Sequence, residues 1–220
     1  MTTAELYRDK AAGYYSAVGH HILGVLPGDA RHVLELGCGT GATGAAAKAG
    51  RPDLIWTGLE MDPASAAQAR TVLDEVIEGN AEEMSLDRLG APFDAIVASE
   101  VLEHLVDPWK MVAHLAQFLK PGGVFIASSP NVATRQIVGE LLAGRFDYED
   151  QGPMDRTHLR WFTPASYAAI FRGAGLEIVS VGPSTPLRAK ARLIDRVTGG
   201  RFRHLFFTQI LVVARRPAAG

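Results

Sequence analysis

The chain has 220 residues, 47% hydrophobic and 21% charged, with 23 glycines, 12 prolines and a formal net charge of -2. That length and composition fit one globular domain burying on the order of 70% of its unfolded surface, and exclude a disordered tail, a collagen-like repeat and a coiled coil. The single cysteine, Cys38, excludes an internal disulfide and a cysteine-built zinc site.

Residues 1–28 read as helical, carrying Tyr7, Tyr14, Tyr15 and His21-Ile22-Leu23 before a Pro27-Gly28-Asp29 turn. The first residues lack the basic-then-apolar order of a signal peptide, and no apolar run reaches membrane-spanning length. A soluble, cytoplasmic protein is expected. Beyond residue 29 short β-rich runs at 33–36, 54–59, 76–77, 93–98, 124–127, 176–181 and 206–213 read as strands. Between them 42–49, 63–73, 108–119, 134–143 and 164–173 have helical composition. Asp62 and Thr163 stand as N-caps before Pro63 and Pro164, and Lys120-Pro121-Gly122-Gly123 reads as a helix stop. Alternation of this kind predicts an α/β fold with a mostly parallel sheet covered on both faces. The aromatic, charged stretch 144–163 breaks the alternation and reads as a small cap.

Charge is unevenly spread. From 185 to 216 eight basic residues (Arg188, Lys190, Arg192, Arg196, Arg201, Arg203, Arg215 and Arg216) face one acid, Asp195. That is +7 locally and -9 elsewhere. No DNA partner is expected, but a basic arm at 183–203 is. In 187–197, Leu187, Ala191, Ile194 and Val197 fall on one helical face with the basic residues mostly off it. Through 187–203 the arm could meet a membrane surface or a phosphate, or simply pack on the sheet edge.

The sharpest local signal is Glu35-Leu36-Gly37-Cys38-Gly39-Thr40-Gly41, a strand running into glycines that open a helix. Such a loop lets backbone approach a ligand and presents free N–H groups. An acid at position 35 would accept from a ligand amine and repel a pyrophosphate. Glu60 and the string Gly79-Asn80-Ala81-Glu82 end the second and third strands, on the carboxyl edge where open α/β sheets bind ligands.

In order and spacing, these motifs resemble those of class I S-adenosylmethionine-dependent methyltransferases, together with Gly58-Leu59-Glu60-Met61-Asp62, 93–97 and 119–123. The resemblance covers roughly residues 30–182. It implies a Rossmann-like, doubly wound, seven-stranded sheet whose last strand, about 205–213, runs antiparallel. It implies S-adenosyl-L-methionine as cofactor, with Glu35, Gly37 and Gly39 lining the methionine part and Cys38 and Ser99 also among the cofactor-binding residues. Glu60 and Met61 would meet the ribose and adenine, and Asn80, Ala81 and Glu82 the adenine edge. Cys38 is expected to pack rather than react. In many relatives an N-terminal helix covers the cofactor, which would give Tyr7, Tyr14 or Tyr15 a ligand contact.

Ser99-Glu100-Val101-Leu102-Glu103-His104 follows the fourth strand. If 101–105 is helical, Glu100, Glu103 and His104 face one way. His104 is the first candidate general base, and His158, from the cap, the second. Three readings stay open: Glu100 with His104 or His158 acts directly on a substrate hydroxyl; Glu100, Glu103, His104 and His158 hold a divalent cation; or His104 pairs with Glu103 while His158 packs on Trp161. The Glu-x-x-Glu-His string with a later His resembles the metal site of small-RNA and ubiquinone-pathway O-methyltransferases. The 144–163 segment resembles a branch associated with glycosyltransferases and surface-polysaccharide synthesis, implying a glycan or small-molecule hydroxyl acceptor. The remaining histidines, His21 and His114 among them, are expected at the surface or in packing. A nicotinamide-dependent oxidoreductase and a non-catalytic cofactor-binding adaptor are the competing functions.

Overall fold

A computed structural model describes residues 17–90 and 92–218, with the side chains of Asp87 and Arg88 excepted. Tyr7, Tyr14 and Tyr15 lie outside the described residues. Seven strands form one sheet: β1 (His32–Leu36), β2 (Ile55–Glu60), β3 (Glu75–Glu78), β4 (Phe93–Ser99), β5 (Leu119–Pro130), β6 (Glu177–Pro183) and β7 (Gln209–Arg215). Their order is β3-β2-β1-β4-β5-β7-β6. β7 runs antiparallel to both β5 and β6, and the pairings among β1 to β5 are parallel. The order in which strands are added therefore reverses between β1 and β4, opening a crevice at their carboxyl ends.

The helices are α1 (His20–Leu23), α2 (Ala42–Gly50), α3 (Pro63–Ala69), α4 (Pro108–Leu115), α5 (Arg135–Leu142), α6 (Pro164–Gly173) and α7 (Ala189–Val197). Their starts follow from local chemistry. Asp62 accepts from Ser65 N at 2.8 Å, Asp107 from Lys110 N at 2.9 Å, and Thr163 and Ser166 form a reciprocal capping box. Each of these three helices has proline in its first turn, where a missing N–H leaves nothing unpaired.

Alternation along the strands divides the core. Ile96, Ala98, Phe125 and Ala127 join Leu115, Tyr167 and Phe171 on one face; Ala95, Val97, Val124 and Ile126 join Ile22, Trp56 and Ala47 on the other. Among the described residues no helix is long and apolar enough to cross a membrane.

Several boundaries differ from the sequence reading. The helix expected over 63–73 stops at Ala69, and the one over 108–119 ends at Leu115 and tightens into a 3-10 turn. Lys120-Pro121-Gly122-Gly123 lies inside β5, at a register shift opposite Phe93 and Ala95, where Lys120 pairs with Asp94 at 2.5 Å. That ion pair and the β4 ladder carry the strand through a composition that reads as a turn. The last strand starts at Gln209 rather than near 205, because Arg203–Phe206 forms a 3-10 turn.

Candidate active site

The glycine loop joins β1 to α2 by left-handed backbone at Gly37 (φ 67°), Gly39 (φ 53°) and Gly41 (φ 81°), a region side chains disfavour. Space forbids a side chain too: a Cβ on Gly37 would come within 2.6 Å of Val101 Cγ2. The loop is tied to its neighbours. Gly37 N and Cys38 N both donate to Leu59 O, and Gly39 N donates to Glu60 Oε2 at 2.8 Å. Glu60 Oε1 accepts from Asp62 N at 2.8 Å, while Gly79 N donates to Glu60 O. One buried carboxylate thus fastens the loops after β1 and β2, and its backbone carbonyl holds the loop after β3.

Cys38 packs across Gly58, where an added Cβ would lie 2.4 Å from its Sγ. That contact explains the glycine in β2. Burial and the charges of Glu35 and Glu60 push the thiol pKa up, so it stays protonated at neutral pH. Glu35 is also buried, with Oε2 accepting from Trp56 Nε1 at 2.9 Å. Burial raises its pKa to about 8 against the opposing hydrogen bonds of Trp56 and Thr43, with the Glu60 charge adding to the rise. Burial raises Glu60 as well, opposed by its backbone donors.

At the ends of β1 to β4 opens a cleft of about 1210 Å³. Glu35, Gly37, Cys38, Gly39, Glu60, Met61, Asn80, Ala81, Glu82, Ser99, Glu100, His104 and His158 all line it. These thirteen candidates, from five separate stretches of sequence, therefore line one cleft. Their contacts are less uniform than expected. Asn80 spends its amide in a local turn, donating to Glu83 Oε1 and accepting from Glu82 N. Glu82 accepts from Val106 N and Asp107 N at 3.0 and 2.9 Å, bracing the loop before α4.

Residues 101–105 are not an α-helix. A 3-10 turn spans Leu102–His104, and Glu100 sits at φ 55°. The three polar side chains consequently do not share one face. Glu100 turns towards Ser128 and Gln209, which stabilise its charged form while burial raises its pKa. Glu103 and His104 instead meet His158, one ligand atom from each lying within 4.8 Å of the others. Glu103 is buried, neither of its oxygens meets a donor in hydrogen-bonding geometry, and burial and the Glu100 charge hold its pKa well up.

The cap builds this cluster through its backbone. Leu159 N and Arg160 N donate to Glu103 O at 2.8 and 2.9 Å. Asp155 Oδ1 accepts from Thr157 N and Thr157 Oγ1, and the carbonyl of Thr157 meets His104 Nδ1 at 3.2 Å. His158 Nδ1 makes the same kind of contact with Pro153 O, also at 3.2 Å. A carbonyl can only accept, so each Nδ1 is the donor in its contact. The rings of His104 and His158 lie 4.7 Å apart edge to face. Trp161, the partner of His158 in the packing reading, meets the rings of Phe146 edge to face and Tyr148 at a tilt instead.

Sequence reasoning missed three contributors. His21, taken for a packing residue, lines the cleft with Nε2 3.1 Å from Ser128 Oγ and 3.5 Å from Ser99 Oγ, its pKa lowered by burial and by His20. Asp155 and His114 also line it. For His21 and His114 no spacing in the chain could have signalled this, since both arrive from elements distant in sequence.

Residues 7–181 match the family described as "Methyltransferase domain". The chain is 31% identical over 188 residues to a ubiquinone biosynthesis O-methyltransferase of Xylella fastidiosa, covering 78% of this chain and 72% of that protein. It is 27% identical over 216 residues to the protein of the same name from Methylobacterium nodulans, covering 88% and 76%. A solved methyltransferase from Archaeoglobus fulgidus superposes with a TM-score of 0.63 at 16% identity, covering 97% of this chain and 92% of that one. Glycine loop, acids at the strand ends, sheet order and these likenesses converge, and the chain belongs to the S-adenosylmethionine-dependent methyltransferases.

Proposed function

We propose that the protein transfers a methyl group to the oxygen of a small-molecule hydroxyl compound, assisted by a divalent cation held by Glu103, His104 and His158. One observation carries this reading: that cluster lines the same cleft as the glycine loop, with both histidine Nδ1 atoms committed to backbone carbonyls. Two imidazoles oriented from behind and one buried carboxylate are the donor set of a cation site. The relatives named for ubiquinone biosynthesis support oxygen as the accepting atom.

The cleft also fits the methyl donor. Its loop admits no side chain at Gly37, and two buried acids, Glu35 and Glu60, border it. S-adenosylmethionine, when bound, supplies an already activated methyl group. The chain's own task is then to align the acceptor and remove its proton. Glu35, whose proton burial holds up to a pKa of about 8, would give it up to pair as a carboxylate with a cationic amine. Glu60 holds the loop in place through Gly39 N. A cation on the Glu103 cluster would make an acceptor hydroxyl more acidic, and His21 and Ser99, which line the same cleft and are backed by the buried Ser128, offer it hydrogen bonds.

A glycan acceptor rests on the resemblance of the 144–163 segment alone, so the test spans both classes. Turnover of the methyl donor is followed against phenolic and sugar hydroxyls, with chelator and then with restored magnesium or manganese. Loss on chelation and recovery on metal addition are expected. Turnover indifferent to chelator but abolished in His104→Ala would instead make His104 a direct base.

A further inference from the structure

The segment from Arg188 to Arg203 has no part in the cleft chemistry, and it combines two properties that seldom coexist without a use. Six cations (Arg188, Lys190, Arg192, Arg196, Arg201 and Arg203) stand against Asp195, a local charge of +5 on a chain whose total is -2. Amid them, large apolar side chains face solvent: Leu193 is 65% exposed, Val197 77% and Phe202 43%.

The helix explains the arrangement. Of α7, only Ala191 is buried, so the packed side is a narrow strip. Leu193 and Val197 lie four residues apart and share a face roughly opposite Ala191. Arg192 and Arg196 flank that face on one side and Lys190 on the other. Of the four residues that the sequence pattern groups on one apolar face, Leu187 and Ala191 are buried, whereas Ile194 and Val197 are exposed. Beyond the helix, Arg201 lies over the Phe202 ring at 5.8 Å, and Arg203 reaches Asp195 at 3.8 Å.

The arm is also held in place. Asn131, fully buried at the end of β5, donates through Nδ2 to His204 O and Phe207 O at 2.7 and 2.8 Å. Thr208 and Gln209, immediately following, line the cleft. The exposed face is therefore ordered in advance and sits on the strap that forms one wall of the site, so docking it requires little further ordering.

We propose that this face, centred on Leu193 and Val197 and ringed by Arg188, Lys190, Arg192, Arg196 and Arg201, seats the protein on an anionic lipid bilayer. An apolar centre with a basic rim is what an interfacial helix needs: apolar side chains enter the headgroup boundary and the cations meet lipid phosphates. Nucleic acid would match the cations but not the exposed leucine and valine. With a net -7 on the remainder of the chain, this segment is where an anionic surface meets the strongest local excess of positive charge.

The test is co-sedimentation of the full chain, without methyl donor, on phosphatidylcholine vesicles with and without phosphatidylglycerol. Binding is expected only to the anionic vesicles and is expected to fall with added salt, since exposed charges are screened over ~8 Å at physiological ionic strength. The triple variant R188Q/K190Q/R192Q should bind on the order of a hundredfold more weakly. L193S/V197S should lose at least roughly tenfold. Melting temperatures should stay with the wild type, as all five side chains are exposed. The proposal is overturned if anionic vesicles bind no better than neutral ones, or if L193S/V197S binds like wild type. It is equally overturned if the wild type is a dimer that L193S/V197S dissociates, or if RNA binding depends on the three cations and vesicle binding does not.

Discussion

At the end of the cleft made by β1, β2 and β3, the groups that border the ligand space are joined within one local network. Gly39 is held by Glu60, Gly37 and Cys38 by Leu59, and Gly79 by the Glu60 carbonyl. At the other end, Glu103 and His104 come from a turn after β4, and His158 arrives from a cap more than fifty residues later, aligned by the carbonyls of Thr157 and Pro153. The first region is backbone held by buried acids; the second is side chains held by a loop. Binding is therefore expected to depend on backbone space at one end, and turnover on side-chain identity at the other. The two should separate experimentally.

The largest expected effect lies at the cap end. Replacing His104 or His158 with alanine, or Glu103 with glutamine, should lower methyl transfer ~10²–10⁴-fold. Calorimetric affinity for S-adenosylhomocysteine should be unchanged. Equal losses of affinity and rate would erase the distinction between the two ends.

Next comes Gly39→Val. A β-branched side chain at φ 53° is strained and fills the space beside the loop. Wild-type binding of S-adenosylhomocysteine is expected in the micromolar range, about -8 kcal/mol, and binding should be undetectable in the variant. Retained binding by calorimetry would mean that the loop does not face the ligand.

Glu35 sharpens the comparison through pH. Its folded pKa of about 8 stands above the ordinary value of 4.5, so the folded state holds a proton that the unfolded state releases. This contribution to stability is fully present below pH 4.5 and is lost as pH rises through 8, on the order of a few kcal/mol across the window. The melting temperature should fall with rising pH between those limits, and Glu35→Gln should flatten that part of the slope. An identical slope in the variant would assign the effect to other groups.

Glu60→Ala should have a smaller effect. Losing a buried acceptor that two backbone N–H groups share costs about 1–3 kcal/mol. It should appear in cofactor affinity and in melting temperature together, whereas His104→Ala should leave cofactor affinity unchanged.

How much of this could be read from the chain varies with the same division. Asp62, Asp107 and Thr163 act on N–H groups three residues away, and such caps are written in adjacent positions; the first and last were read directly. The glycine loop was equally legible, because left-handed backbone needs glycine wherever the chain goes next. Glu100, Glu103 and His104 were read correctly as a cleft cluster but with the wrong geometry. An i, i+3, i+4 pattern presumes a helix, and the chain there forms a 3-10 turn with Glu100 in left-handed backbone. Glu100 consequently faces Ser128 and Gln209 instead of the two histidines.

Sequence alone determined the strand and helix types, the caps, the glycine loop and the acids that close β1 and β2, since each depends on neighbours within a few residues. Only the tertiary structure decided that His158 meets His104 instead of Trp161, that His21 reaches Ser128, that Glu82 braces the loop before α4, and that Leu193 and Val197 face solvent. These contacts join segments whose separation along the chain carries no periodic signal. Their geometry is set by how the cap and arm fold back onto the sheet edge, where buried carbonyls and carboxylates select whichever donors can reach them.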